Sequence, residues 1–334
     1  MRRFILERLL FLPVVLFCIS LIVFLAIRFA PGDPAEITMQ QFATEAEMAR
    51  LRREWGLDRP LVEQYLAFVK GAVTGELGRS FFGNVRVVDQ LRERFPATIE
   101  LAVASTAVSA CLGILAGTLA AVHRGRWLDH VSRVVALFGI SMPVFWLGLM
   151  LISLFSVNLG MLPVSGRYET RLVLEPVTGF LLLDSIINRD WIALQSGVRH
   201  LLLPALTMGS YAAGIVARFT RSSMLEVLGQ DYVRTARAKG LSERIVVYVH
   251  ALRNAILPVI TILGLQFGTF LGGAAVTETV FAWPGIGKLL VDSILLRDYP
   301  QVQASALLLA VTYVVINLLV DLSYTLIDPR IKYS

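Results

Sequence analysis

Charge is scarce in this sequence: 17% of its 334 residues are Asp, Glu, Lys or Arg, against about 25% in an average soluble domain. With 56% of the residues hydrophobic, that deficit excludes a soluble globular chain. Cysteine is almost missing. Cys18 and Cys111 both lie inside apolar runs, which leaves no disulfide framework or thiolate metal site, and both read as small buried hydrophobes. The four histidines, His123, His130, His200 and His250, are scattered at the ends of apolar runs, where interfacial or structural roles outweigh a metal site. There is no His-Glu-x-x-His pair and no Gly-x-Ser-x-Gly elbow. The stretch from Pro284 to Lys288 lacks the spacing of a phosphate-binding loop, so any nucleotide energy must come from another subunit.

What is present is a set of long apolar runs, each wide enough to cross a hydrocarbon layer of about 30 Å. Six spans are predicted, at 9–30, 98–122, 132–157, 200–218, 255–281 and 303–327. The fourth is the weakest, interrupted by Pro204 and Gly209. A seventh candidate, 172–187, carries Glu175, Pro176 and Asp184 and is assigned to an extramembrane or re-entrant element. Arg2, Arg3 and Arg8 before the first run imitate a secretory signal. That run exceeds the about 7–15 apolar residues of a signal, and Arg28 stands where a small residue belongs, so an uncleaved first span is expected.

The net charge of +6 does not point to nucleic acid, because the basic residues flank the apolar runs, where they orient the chain in a bilayer. With the N-terminus inside, both inside loops are net basic. One holds Arg124, Arg126 and Arg133 against Asp129; the other spans 219–254. None of the three outside loops has a basic excess, and the tail with Arg330 and Lys332 also ends inside. The chain divides into a cytoplasmic N-terminus with the first span (1–30), an extracytoplasmic helical segment (31–97) and a core of five spans (98–334). In the outer segment, Thr44 and Glu47 form a capping box before Met48, Leu51 and Trp55. Asp58 and Pro60 open a second helix, with Leu61, Tyr65, Phe68 and Val69 on one face.

The inside loop 219–254 is far longer than a connector requires. Asp231 to Lys239 is helix-compatible, with Arg237 and Lys239 in its last turn. Gly240 supplies a left-handed cap, Leu241 follows as its hydrophobic partner, and Ser242 is placed to cap the next helix. The residues alone fit two readings equally: a rigid handle for another protein's groove, or an amphipathic helix resting on anionic lipid.

The segment Ala236-Arg-Ala-Lys-Gly240-Leu, followed by His250-Ala-Leu-Arg-Asn254, resembles the Glu-Ala-Ala loop of binding-protein-dependent ABC importer permeases. Of the Ile, Leu and Pro that follow the glycine in that pattern, only the leucine is matched, by Leu252; His250 and Arg253 occupy the other two places. Arg234-Thr235-Ala236 keeps only the last alanine of the triplet. The resemblance extends to Gly56-Leu-Asp-Arg-Pro60-Leu, Gly75-Glu-Leu-Gly78-Arg-Ser80, Ala30-Pro-Gly-Asp33-Pro and Arg199-His-Leu-Leu-Leu-Pro204. Over nearly the whole chain it is similar to the B-type subunits of the dipeptide, oligopeptide and nickel permeases.

That resemblance implies an all-α integral membrane protein with six transmembrane helices of the type I ABC importer kind and a small helical outer segment between the first two. It implies a bacterial inner-membrane location with both termini cytoplasmic. Asp231, Tyr232, Thr235, Ala236, Arg237, Ala238, Lys239, Gly240 and Leu241 become the coupling element that meets an ATPase. No cofactor belongs to this chain itself; ATP and Mg would be held by two ATPase subunits. The other implied partners are a second permease, expected to be a homologous C-type chain, and an extracytoplasmic substrate-binding protein. The implied cargo is di- or oligopeptide. Import of nickel chelates, glutathione or another small solute is the alternative within the architecture, and a passive channel or intramembrane enzyme is the alternative outside it. The outer segment either docks the binding protein or braces the spans.

Polar residues inside the spans are expensive and therefore candidates for the translocation path: Gln266, Thr269, Thr277 and Glu278 in the fifth span, Asn317 and Asp321 in the sixth. Gly264, Gly268 and Gly272 recur every fourth residue and fit either a dimer face or an intrachain contact. Pro143 is expected to kink the third span.

Overall fold

The computed structural model describes the backbone of residues 2–30, 32–39 and 44–327, and the side chains of 10–30, 32–36 and 44–320. Arg330 and Lys332 lie outside the described residues. All regular elements within them are helical apart from one isolated bridge between Arg79 and Arg86. Among the described residues, five helices are long and apolar enough to cross a membrane, or six if one pair bent sharply at a short break counts as a single span.

The first span is α1 (Arg2–Phe29). The segment between the first two spans follows as α2 (Pro34–Met39), α3 (Glu45–Glu54) and α4 (Leu61–Thr74). The capping box of α3 forms as its sequence dictates: the Glu47 carboxylate accepts from the Thr44 N–H at 2.8 Å, while Thr44 Oγ1 accepts from the Glu47 N–H at 3.4 Å. This segment is tied to two spans. Tyr65 packs edge-on against Phe24 of α1, and Gln64 accepts from Arg28 Nε at 2.8 Å. Trp55 stacks on Phe81, whose backbone N–H, with the Ser80 hydroxyl, donates to Asp298 just before the last span.

The second span, α5 (Val87–Val122), begins earlier than the apolar run, because its first turns are amphipathic and rest on Val87 and Leu91. The third span departs from a single kinked helix. It is split into α6 (Trp127–Ser141) and α7 (Val144–Leu151), extended by a π-helical turn to Asn158, with 105° between the halves. Pro143 at the break has no N–H to continue the helical ladder, and its ring disfavours helical geometry at Met142, which is extended. The segment before the fourth span holds only α8 (Leu181–Ile187), so 172–187 contains no spanning helix.

The fourth span, the weakest in sequence, is the longest helix: α9 (Trp191–Leu228) runs unbroken through Pro204 and Gly209. Its most apolar stretch is 61% buried, against 17% for α1, because α5, α6, α7, α8 and α12 all pack on it. A span surrounded by protein needs less hydrophobicity than one facing lipid. Then come α10 (Asp231–Ala238), α11 (Glu243–Ile245), a π-helical turn over Val246–Ala251 and α12 (Leu252–Gly273). The fifth span ends at Gly273, short of the predicted 281. Ala275–Val280 forms a separate α13, and α14 (Ile286–Leu296) precedes the last span, α15 (Tyr299–Ile327).

One smaller expectation is corrected, and one open choice is decided. Cys18 and Cys111 are exposed, on outward faces of α1 and α5, and are not core hydrophobes. The glycine ladder of α12 serves an intrachain contact: a Cβ at Gly264 would meet Val320 Cγ2 at 2.7 Å and one at Gly268 would meet Asn317 Oδ1 at 3.4 Å, so both glycines admit α15.

Candidate functional site

The helix α10 is anchored by a minimal set of contacts. Only Val233 and Ala236 are buried in it, three residues apart on one face, and both pack on Val246 with Val227 and Leu228 around them. The remaining members of the predicted element, Asp231, Tyr232, Thr235, Arg237, Ala238, Lys239, Gly240 and Leu241, are exposed. Its C-terminus closes as a Schellman motif. The Leu241 N–H donates to the Ala236 carbonyl at 3.4 Å and the Gly240 N–H to the Arg237 carbonyl at 2.9 Å. Gly240 holds φ +77°, a conformation L side chains rarely adopt. Ser242 sits at the N-cap of α11, but its hydroxyl makes no capping bond.

Two side-chain links from this helix to residues outside the predicted element fix it in place. Arg237 donates to Glu243 across the turn through Nε at 2.7 Å and Nη2 at 3.3 Å. The Tyr232 hydroxyl accepts from Asn254 Nδ2 at 2.9 Å and donates to the His250 carbonyl at 3.3 Å, so α10 is clamped to the start of α12. The spacing of His250 and Asn254, four residues apart in the motif segment, was the available signal for this clamp.

The intramembrane polar residues separate into two groups. Gln266 and Thr269 of α12 line a cavity of about 270 Å³ together with Tyr211 of α9, Thr277 of α13 and the apolar walls of Phe145 and Met208. Its polar groups are uncharged. Glu278 is corrected from path-lining to structural: it is wholly buried, accepts from Thr98 Oγ1 at 2.7 Å and from the Lys288 N–H at 2.8 Å, and lies under Gly285. Trp283 closes the same latch by donating from Nε1 to the Ala97 carbonyl at 2.8 Å. Asn317 is likewise absent from the cavity wall, being turned toward Gly268 between α12 and α15. The side chain of Asp321 lies outside the described residues. Tyr211 was not foreseen, since it stands in the span with the least regular apolar pattern.

A bundle of membrane-crossing helices with an exposed, clamped amphipathic helix between two spans defines a multi-pass transport permease. The chain belongs to the family of binding-protein-dependent transport system inner membrane components: residues 113–333 match that family, and residues 1–102 match its N-terminal companion. It is 48% identical to a di/tripeptide transport system permease protein, DppB, of Pseudomonas aeruginosa, with both chains covered in full. Identity to the dipeptide permease DppB of Escherichia coli K12 is 45%, and to the glutathione transport system permease GsiC of that strain 43%, again over full lengths. Among solved structures it resembles a chain of the MetNI methionine ABC transporter in an inward-facing conformation. The TM-score is 0.51 at 17% identity, covering 70% of this chain and 93% of that one, and the shared fold is the type I importer permease.

Proposed function

We propose that this chain is the B-type permease of an ATP-driven importer for di- and oligopeptides, and that α10 with the Gly240 turn is its coupling helix. The observation that carries the proposal is the arrangement of α10: a rigid helix held from behind by two small apolar residues, with its other faces bare. Such a handle would transmit a push because its cap, ion pair and Tyr232 clamp tie it to the start of α12. Docked into a cleft of an ATPase subunit, it would convert nucleotide-driven closure into exchange between inward-facing and outward-facing states, a population shift driven by differential binding.

The complete assembly would hold this chain and a homologous C-type permease, two ATPase subunits carrying ATP and Mg, and an extracytoplasmic substrate-binding protein. Both termini and the 219–254 loop would lie in the cytoplasm, as the basic loops require. Peptide cargo is favoured by full-length identity to the di/tripeptide relative. The uncharged cavity of Gln266, Thr269 and Tyr211 supports it chemically, because neutral donors and acceptors bind amide groups without selecting particular side chains. The glutathione relative favours a second reading, in which that one γ-linked tripeptide is the cargo.

The test is a reconstituted complex with its own binding protein. Cysteine at Ala238 or Lys239 is expected to crosslink to the ATPase subunit, and labelled dipeptide to accumulate in an ATP-dependent manner in preference to glutathione. Failure of every crosslink overturns the coupling role; preference for glutathione overturns the cargo.

A further inference from the structure

Between α5, α6 and α9 runs a groove of about 430 Å³ that the path and the coupling helix do not use. Its wall is apolar and built largely from small side chains on three facing helices, Ala116 and Ala120, Ala136, and Ala217, with Ile140 beside them. At one end Arg133, Arg218 and Arg221 converge. Asp129, 1% exposed, accepts from Arg221 through both carboxylate oxygens at 2.8 and 2.9 Å, and Arg133 Nε lies 3.4 Å from it. Two of these guanidinium groups share the single carboxylate and the third adds its own charge, so this end of the groove carries two excess positive charges. Arg218 has no carboxylate partner among the described residues, and its guanidinium lies 5.8 Å from the Phe219 ring centroid.

The depth of this end is marked independently. Trp127, two residues before Asp129 at the start of α6, is 70% exposed, as expected of an aromatic anchor at the membrane–water interface. The arginines therefore sit at headgroup level and the alanines extend below them into the hydrocarbon. A transmembrane helix of a partner laid in this groove would seal two excess charges against apolar side chains, which is costly. A zwitterionic lipid cancels its own phosphate. An anionic lipid supplies both the alkyl chain and the missing negative charge.

We propose that the groove is a binding site for one anionic phospholipid, its acyl chain along Ala116, Ala120, Ala136 and Ala217 and its phosphate on Arg218 and Arg133. The lipid would lie against the helix that leads, through Gly229 and Gln230, directly into α10. This proposal rests only on the chain being embedded in a membrane, so retention is read without reference to transport.

Native mass spectrometry of the complete, delipidated complex, supplied with equal amounts of phosphatidylglycerol and phosphatidylethanolamine, tests it. The wild type is expected to retain phosphatidylglycerol preferentially. Arg218→Gln, which removes a side chain with no carboxylate partner, is expected to lower that retention about fivefold. Ala116→Phe, which fills the trough and keeps the arginines, is expected to lower it as well, and Arg124→Gln in the adjoining loop to leave it unchanged. Retention in Arg218→Gln equal to wild type, or no headgroup preference in the wild type, overturns the proposal. Should Ala116→Phe fail to assemble, the Arg218→Gln comparison decides alone.

Discussion

Arg237 and Glu243 grip each other across the Gly240 turn, binding the last turn of α10 to the first residue of α11. Both side chains are partly exposed, at 42% and 64%, so the pair contributes at most about 1 kcal/mol to stability. Its larger effect is on direction, since it fixes the angle at which the handle leaves the π-helical turn below it. Exchanging the two charges, Arg237→Glu with Glu243→Arg, is expected to rebuild the ion pair and leave the melting temperature unchanged. Under the proposed coupling role, peptide-stimulated ATP hydrolysis in proteoliposomes is not expected to recover, because the cation that role assigns to the ATPase contact then stands six residues away. Full recovery of hydrolysis would reduce Arg237 to a structural brace.

Gly240 offers a cleaner separation of backbone from contact. A Cβ there would meet nothing within 4 Å, so only the positive φ opposes substitution. Gly240→Asn, which tolerates the left-handed region, is expected to retain coupled ATP hydrolysis. Gly240→Val should insert into the membrane normally and abolish coupling, at a local strain of about 1–2 kcal/mol. Comparing hydrolysis and uptake of the two variants in the same vesicles checks this.

Glu278 holds α5, α13 and α14 together through a buried acceptor network. Glu278→Ala removes the acceptor of the Thr98 hydroxyl, which keeps only the bond it accepts from the Ile286 N–H, and the acceptor of the Lys288 N–H, at a cost of about 1–3 kcal/mol for each donor left unpaired. Gly285→Ala drives a methyl group into the same carboxylate. Both variants are expected to lower the thermal midpoint of the purified complex by several degrees, whereas Thr269→Ala, on the cavity wall, should alter uptake and leave the midpoint in place.

Asp184 governs the fold of the loop before α9. Burial alone pushes its carboxyl group up, but the Thr178 hydroxyl and the N–H groups of Thr178, Gly179 and Val177 all donate to it and hold it below the usual carboxylate range. A depressed folded-state value means that the ionised form stabilises the fold. That contribution is complete above the unfolded value of 3.8 and disappears as the pH falls through the lower folded value. Protection against amide exchange across 177–187, taken relative to the intrinsic rate at each pH, is therefore expected to fall below pH of about 4 and to be reduced already at neutral pH in Asp184→Ala. Unchanged protection in that variant would refute the assignment.

Gly264→Leu is expected to separate α12 from α15, because even a single Cβ meets Val320 Cγ2 at 2.7 Å. Overpacking of this kind costs about 1–3 kcal/mol. A thermal midpoint equal to wild type would show that α15 slides to accommodate it.

The legible parts of the molecule were those written in local spacing. The capping box of Thr44 and Glu47, the left-handed cap at Gly240 and the break at Pro143 each depend on residues within a few positions, and each forms as its chemistry demands. The 105° turn at Pro143 exceeds a simple kink because the next residues, from Val144, start a new helix packed on α9 and α13. The polar residues of the membrane were read less well. Glu278 and Gln266 look alike in a hydropathy window, yet one is sealed beneath Gly285 and the other faces a cavity. That difference depends on Thr98, Lys288 and Tyr211, which lie 10 to 180 residues away from them.

Apolar run length was sufficient, in the sequence alone, to establish a membrane-spanning helical chain and where most of its spans lie, because water and lipid impose those terms on every segment separately. Tertiary packing alone decided which helix became the centre, which buried carboxylate became a latch, and which faces were left bare. Those outcomes are sums over contacts between distant segments, and no single segment carries them.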